Sequence, residues 1–181
     1  MTGGSVARRY AKALIELAAK GDRVDAVGEE IGQTAGLFES SADLRNLMFS
    51  PGIVKDVKRG ILRELLARAS ASDLSGRFLQ LLLEKDRLRY IAPISAMYRE
   101  LADALNNRIR AQVRSAFALS DEEETALRDQ LSAATGKEVV LEVETDSTLL
   151  GGLKARVGSA TWDGSVRNHL ESLRERLAGR S

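Results

Sequence analysis

The chain has 181 residues, of which 44% are hydrophobic and 4% aromatic, with no Cys, one His and a net charge of +1. That length suits one medium domain or two small ones, and the core must be built from Leu, Val, Ile and Ala. The lack of cysteine excludes disulfides, thiolate chemistry and cysteine-based zinc sites, and fits a reducing compartment.

Charge is spread evenly. Residues 1–107 hold 16 Lys/Arg and 14 Asp/Glu, a balance of +2, and residues 108–181 hold 11 and 12, a balance of −1. Neither part is basic enough for binding dominated by a phosphate backbone, so no nucleic-acid partner is expected. No apolar run approaches the ~18–20 residues of a membrane span. Lys12 and Glu16 break the apolar stretch after Arg8 and Arg9, so no export signal is expected there.

Residues 5–20 place Val6, Tyr10, Ala13, Leu14 and Leu17 on one helical face, with Ser5 as cap and Gly21 as stop. Asp22 opens a second helix with Val24, Val27, Ile31 and Phe38 as its stripe. Gly28, Gly32 and Gly36 recur on it, each costing up to ~1 kcal/mol of helix propensity. They imply either close approach to another helix or a loosely held one. Ser41 caps a third helix ending at Phe49, and residues 50–52 break the chain. A fourth helix over 54–69 turns Val54, Val57, Ile61, Leu62, Leu65 and Leu66 inward. Asp73 caps a fifth, whose Phe78, Leu79, Leu81, Leu82 and Leu83 make it apolar almost all round. A sixth runs from Tyr90 to Asn106, with Pro93 harmless in its first turn.

At Arg108 the period changes to two. Ile109, Ala111, Val113 and Phe117 alternate with Arg108, Arg110, Gln112 and Arg114, as in a half-buried strand. Those arginines are either solvated or meet an acidic partner. Ser120 and Glu123 form a capping box for a seventh helix. A second strand holds Val139, Leu141 and Val143 on one face. Two more strands join near Gly158-Ser159, and a last helix covers Ser165 to Leu177. The fold class is mainly α: a six-helix bundle over 1–106, then a small α/β domain over 107–181 in the order β-α-β-β-β-α.

No catalytic set emerges. Residues 149–170 hold a glycine-rich run, but its pattern is G-G-x-x-x-x-x-G with strand on both sides, not a dinucleotide loop. Gly136-Lys137 is followed by Glu138, so no P-loop forms either. Turns at Gly151-Gly152, near Gly158 and at Asp163-Gly164 account for these glycines. His169 has no Cys or second His to share a metal. Glu122, Glu123 and Glu124 fan around a helix start, and Trp162 suits a small core. No cofactor and no metal site are expected.

Four stretches together carry a family resemblance: "VARRYAKALIELA", "LLLEKDRLRYI", "RSAFALSDEEETAL" and the closing "LLGGLKARVGSATWDGSVRNHLESLRERL". They resemble the delta subunit of the rotary proton-translocating ATP synthase, relative of the mitochondrial oligomycin-sensitivity-conferring protein. The resemblance implies a non-catalytic stator protein, one copy per complex. Residues 1–106 would hold N-terminal helices of the alpha subunits atop the catalytic head, and residues 107–181 the b-subunit peripheral stalk. It places the alpha-subunit groove between the first and fifth helices, at Ala7, Tyr10, Ala11 and Leu14 and at Phe78, Leu79 and Leu82. It makes Gly151, Gly152, Asp163, Gly164 and Ser165 the turn and cap of the closing signature. The expected location is the cytoplasmic face of the bacterial inner membrane, or its organellar equivalent, reached only through the complex. The alternatives are a helix-binding regulatory adaptor unrelated to ATP synthase, which would not need the closing signature, and a small nucleotide-dependent enzyme.

Overall fold

The computed structural model describes residues 3–146, 148–149, 152–158 and 160–163. Chain contacts divide it into two units, Met1–Ala102 and Asp103–Ser181, a break that falls inside the sixth helix, before the sequence-based boundary at 106.

The first unit contains α1 (Gly3–Lys20), α2 (Val24–Ser40), α3 (Ala42–Phe49), α4 (Lys55–Arg68), α5 (Asp73–Glu84) and most of α6 (Ile91–Leu105), with a 3-10 turn at Leu88–Tyr90. All six contribute to one apolar core, in which Ala11, Leu14, Ile31, Leu79, Leu82 and Ile94 are fully buried. Their apolar residues recur at three and four positions, so each helix buries a stripe rather than its whole surface.

Several local expectations change. α1 starts at Gly3, so Ser5 lies inside it and does not cap it. α2 starts at Val24 with no side-chain cap, and Asp22 takes a left-handed turn at φ 52°. Ser72, not Asp73, caps α5 by accepting from the Ser75 amide, and Asp73 instead pairs with Arg77 at 2.8 Å. Val54 and Val57 face out, at 66% and 53% exposure. The reason is Lys58, whose stem is buried on that turn while its ammonium donates to Ser50 O at 2.6 Å. α5 buries Phe78, Leu79, Leu82 and Leu83 and leaves Leu81 exposed.

Two contacts join the helices specifically. A Cβ on Gly28 would meet Tyr98 Cε1 at 3.1 Å, so the missing side chain lets α6 press its ring onto α2. Tyr98 is fully buried, and its hydroxyl donates to Val24 O at 2.8 Å. Gly36 differs, because a Cβ there meets nothing within 4 Å. The second contact is at the start of α5. Ser72 Oγ donates to Glu30 Oε2 at 2.6 Å, and Arg23 lies 3.7 Å from the same carboxylate. Burial pushes the Glu30 carboxyl up, but hydrogen bonds from Ser72 and Ser75 and the Arg23 charge outweigh it. The group therefore sits below the usual Glu range.

The second unit contains β1 (Arg108–Ser115), α7 (Asp121–Thr135), β2 (Glu138–Thr145), β3 (Leu153–Val157) and β4 (Ala160–Asp163). The sheet order is β2-β1-β3-β4. β1 and β2 are parallel, as the α7 crossover between them requires, and the other pairs are antiparallel. Ala111, Val113, Val139, Ala155, Val157 and Leu131 of α7 form its core. Ser120 and Glu123 make the expected capping box, and Gly136 ends α7 at φ 67°. Phe117, expected inward, lies beyond the end of β1 and is 74% exposed. The closing helix, Gly151, Gly164, Ser165 and His169 lie outside the described residues, as do the side chains of Trp162 and Asp163.

The helix contacts give opposite expectations for two glycines. Gly28→Ala should destabilise the chain by about 1–3 kcal/mol, because the enclosed Tyr98 ring cannot retreat, whereas Gly36→Ala should stabilise it by up to ~1 kcal/mol. Thermal melts of the two variants check this, and equal shifts would overturn it. Ser120→Ala should cost about 0.5–2 kcal/mol through loss of the cap, and an unchanged melt would speak against the cap's energetic role. The lowered Glu30 value stabilises the fold above the ordinary Glu range, and that gain is lost as pH falls through the lowered value. The gap in melting temperature between wild type and Glu30→Gln should therefore be full at neutral pH and close below about pH 4. A gap that persists unchanged into acid would show that the charge is not responsible.

Candidate functional site

The residues assigned to the α1/α5 groove divide sharply. Ala7, Ala11 and Leu14 on α1 and Phe78, Leu79 and Leu82 on α5 are all buried in the first unit's own core. Only Tyr10 is partly exposed. The structure does bring the two helices together, through an edge-to-face contact of Tyr10 and Phe78 with ring centroids 6.2 Å apart. The buried residues are thus a floor, and a substitution such as Leu82→Asp would report on folding rather than on contact.

The surface above that floor comes from residues the sequence reading did not select for the groove. Leu17 lies two turns along α1 from Tyr10 and is 53% exposed. Leu81 lies one turn along α5 from Phe78 and is 44% exposed. Leu74, one turn before Phe78, is partly exposed. The other flank of α5 is taken by α4. A Cβ on Gly76 would lie 3.8 Å from Leu66 Cδ1, and Arg59 pairs with Glu84 at 2.7 Å. Lys55 donates to Glu84 O at 3.0 Å and pairs with Asp86 at 2.9 Å. Leu74 and Leu81 therefore sit on the flank that α4 leaves open, beside Tyr10. The guanidinium of Arg87 lies over the Tyr10 ring, 5.5 Å from its centroid, and donates to the Tyr10 hydroxyl at 3.4 Å.

A second concavity lies between α2 and α4. It has a volume of about 390 Å³ and is lined by Leu37, Phe38, Leu62, Leu65 and Leu66, with Gly36 at its edge. A smaller one of about 180 Å³ is lined by Met48, Phe49, Lys58 and Arg89 among others.

In the second unit the three arginines of β1 meet acids of their own unit. Asp103 accepts from Arg110 Nε at 2.6 Å and from its Nη2 at 3.2 Å, and Arg110 Nη1 reaches Glu142 at 3.1 Å. Burial pulls the Arg110 guanidinium down, but Asp103 and Glu142 outweigh it and hold its pKa above the usual Arg value. Arg108 lies 3.8 Å from Asp103, and Arg114 lies 3.5 Å from Glu144. The acidic groups that these arginines need are thus intramolecular.

The two described glycines of the glycine-rich stretch lie in strand connections. Gly152, at φ 78°, leads into β3, and Gly158, at φ 58°, turns β3 into β4. A phosphate loop of the dinucleotide type must lead into a helix N-terminus, and this one leads into a strand. Among the described residues no helix is long and apolar enough to cross a membrane.

The family model described as ATP synthase delta (OSCP) subunit matches residues 6–177. The chain is similar to the ATP synthase subunit delta of Geobacter metallireducens, with 40% identity over 177 residues covering 98% of each chain. It is 34% identical to that of Myxococcus xanthus over 182 residues, covering 99% of this chain and all of the relative. Among solved structures it resembles a chain of the Toxoplasma gondii mitochondrial ATP synthase hexamer, with a TM-score of 0.66 and 23% identity over 95% of this chain and 97% of the other. That likeness shows the fold. The reading as an unrelated helix-binding adaptor is thereby set aside. From one end of the helical unit to the closing signature, the chain belongs to the ATP synthase delta (OSCP) subunit family, a family of non-catalytic stator subunits of that complex.

Proposed function

We propose that the chain ties the catalytic head of the ATP synthase to its peripheral stalk and so resists rotor torque, coupling ion flow to ATP synthesis. Residues of the first unit hold N-terminal helices of the alpha subunits, and the second unit holds the b subunits. One copy serves each complex at the cytoplasmic face of the bacterial inner membrane, with no membrane contact except through its partners.

The observation that carries this reading is the division into two units, each with an apolar core of its own. A tie must keep its shape while gripping at both ends, and two separately cored bodies on one chain meet that need. Each also offers apolar side chains to a partner. On α1 and α5 of the first unit these are Tyr10, Leu17, Leu74 and Leu81, above the buried Ala7, Ala11, Leu14, Phe78, Leu79 and Leu82. On the second they include Leu105 and Phe117. An amphipathic helix laid across α1 and α5 is a common recognition mode. Three or four such anchors supply roughly 1.5–3 kcal/mol each before association costs. Holding head and stalk on one chain adds the gain of effective concentration.

Calorimetric titration of the full chain with a synthetic peptide of the alpha subunit's N-terminal ~20 residues tests the head contact. Saturable 1:1 binding with a negative heat-capacity change is expected. Leu81→Asp should weaken it about tenfold or more, as expected for loss of one buried anchor, with little change in melting temperature. Absence of binding by the folded wild-type chain would overturn the assignment of α1 and α5.

A further inference from the structure

Basic side chains border the open flank of α1 and α5. At about 100° per helical residue, Val6, Ala13 and Leu17 share the side of Tyr10, and Arg9 and Lys20 come next outward. On α5, Arg77 lies outward of Leu81, and Lys85 and Arg87 follow at the end of the helix. Glu16 is the acid on the α1 flank, and Glu84 is turned towards Arg59 of α4. Residues 1–102 hold 16 Lys/Arg against 13 Asp/Glu, and the acids concentrate on α2, at Asp25, Glu29, Glu30 and Glu39. Arg9 and Lys20 of α1, with Arg87 just beyond α5, therefore border the exposed apolar strip.

Arg87 is the most specific part of that border. It is half-buried, yet among the described residues no carboxylate lies within ion-pair distance of it. Arg59, Arg68 and Arg77 of the same unit each hold a carboxylate at 2.8 Å or less. Arg87 has instead a phenol hydroxyl and the face of Tyr10. These fix the position of the guanidinium but leave its charge uncompensated, and a planar donor fork of this kind matches a carboxylate in two parallel hydrogen bonds.

We propose that this face takes an amphipathic helix whose apolar stripe is bordered by carboxylates, and that Arg87, held over the Tyr10 ring, pairs with one of them. The inference rests on the reading of α1 and α5 as the head-binding face, and adds the chemistry of the segment bound there. Tyr10 then has two tasks, offering an apolar edge to the stripe and positioning the cation that reads the flank. The basic border also orients the incoming helix, since charge complementarity acts on encounter and register more than on raw affinity.

The test uses the full chain and two synthetic peptides. One is the alpha subunit's N-terminal ~20 residues, and the other is the same peptide with its Asp and Glu changed to Asn and Gln. The native peptide should bind the wild-type chain about tenfold more tightly than the neutral one, the scale of one charge-assisted hydrogen-bonded pair. That advantage should vanish at about 1 M salt, where the Debye length is ~3 Å. Arg87→Gln should lose the same factor towards the native peptide and nothing towards the neutral one, and Arg87→Lys should recover part of it. Equal affinity of wild type for both peptides would overturn the inference while leaving the docking face intact. That comparison needs no variant, so it stands even if Arg87→Gln lowers the melting temperature. No binding of either peptide by the folded chain would remove the docking face, and this inference with it.

Discussion

The first unit depends on how closely its helices approach one another. With aromatics at 4% of the chain, few large side chains are available to bridge wide gaps. Ala7, Ala11 and Ala18 on α1 and Gly28 on α2 bring backbone near neighbouring side chains. Packing at that distance is stabilising only if each opposing surface fits, because interiors leave few voids. Tyr98 against Gly28 is the tightest such fit, and its hydroxyl has a partner in Val24 O, so burying the phenol carries no unsatisfied polar group. Desolvation, with Asp25 and Glu30 nearby, pushes that phenol's pKa up to about 12, so it stays protonated and able to donate across the physiological range.

That packing determines what the surface can offer. Once Leu14, Leu79 and Leu82 are used inside, the apolar surface left on α1 and α5 is the half-turn beside them, at Tyr10, Leu17, Leu74 and Leu81. The arrangement separates two duties that one residue cannot easily share. Buried side chains hold the shape, and their exposed neighbours can be covered without opening the core. In the second unit the same separation appears in electrostatic form. Asp103, Arg110 and Glu142 are joined to one another across helix end and sheet, leaving Phe117 to face outward.

Much of this was legible in the sequence. The period-3.6 stripes located the helices, the switch at Arg108 located the first strand, and Ser120 with Glu123 located the start of α7. The four family-like stretches together pointed to the protein class where chemistry alone pointed to none. Other features were out of reach for physical reasons. An apolar stripe has a centre and two edges, and spacing alone does not say which edge a neighbouring helix will cover. Val54 and Val57 were misplaced on that account, and the residues expected to line the groove lie, Tyr10 apart, at the buried centre of each stripe. Buried Lys58 was invisible because its burial depends on one distant carbonyl, Ser50 O, at the end of a folded loop. The partners of Arg110 and Arg114 lie on a neighbouring strand and helix end, and only the parallel register brings them together.

The acidic residues of β2 have a consequence beyond their pairing with β1. Among the described strands β2 is an edge, so its outer backbone groups are open to another strand. Glu138, Glu142 and Glu144 lie along it, and Arg110 and Arg114 compensate Glu142 and Glu144 from the inner side only. A second molecule adding itself to that edge would set glutamate beside glutamate with no cation between, which opposes strand pairing. The arrangement therefore discourages growth by self-addition along that edge.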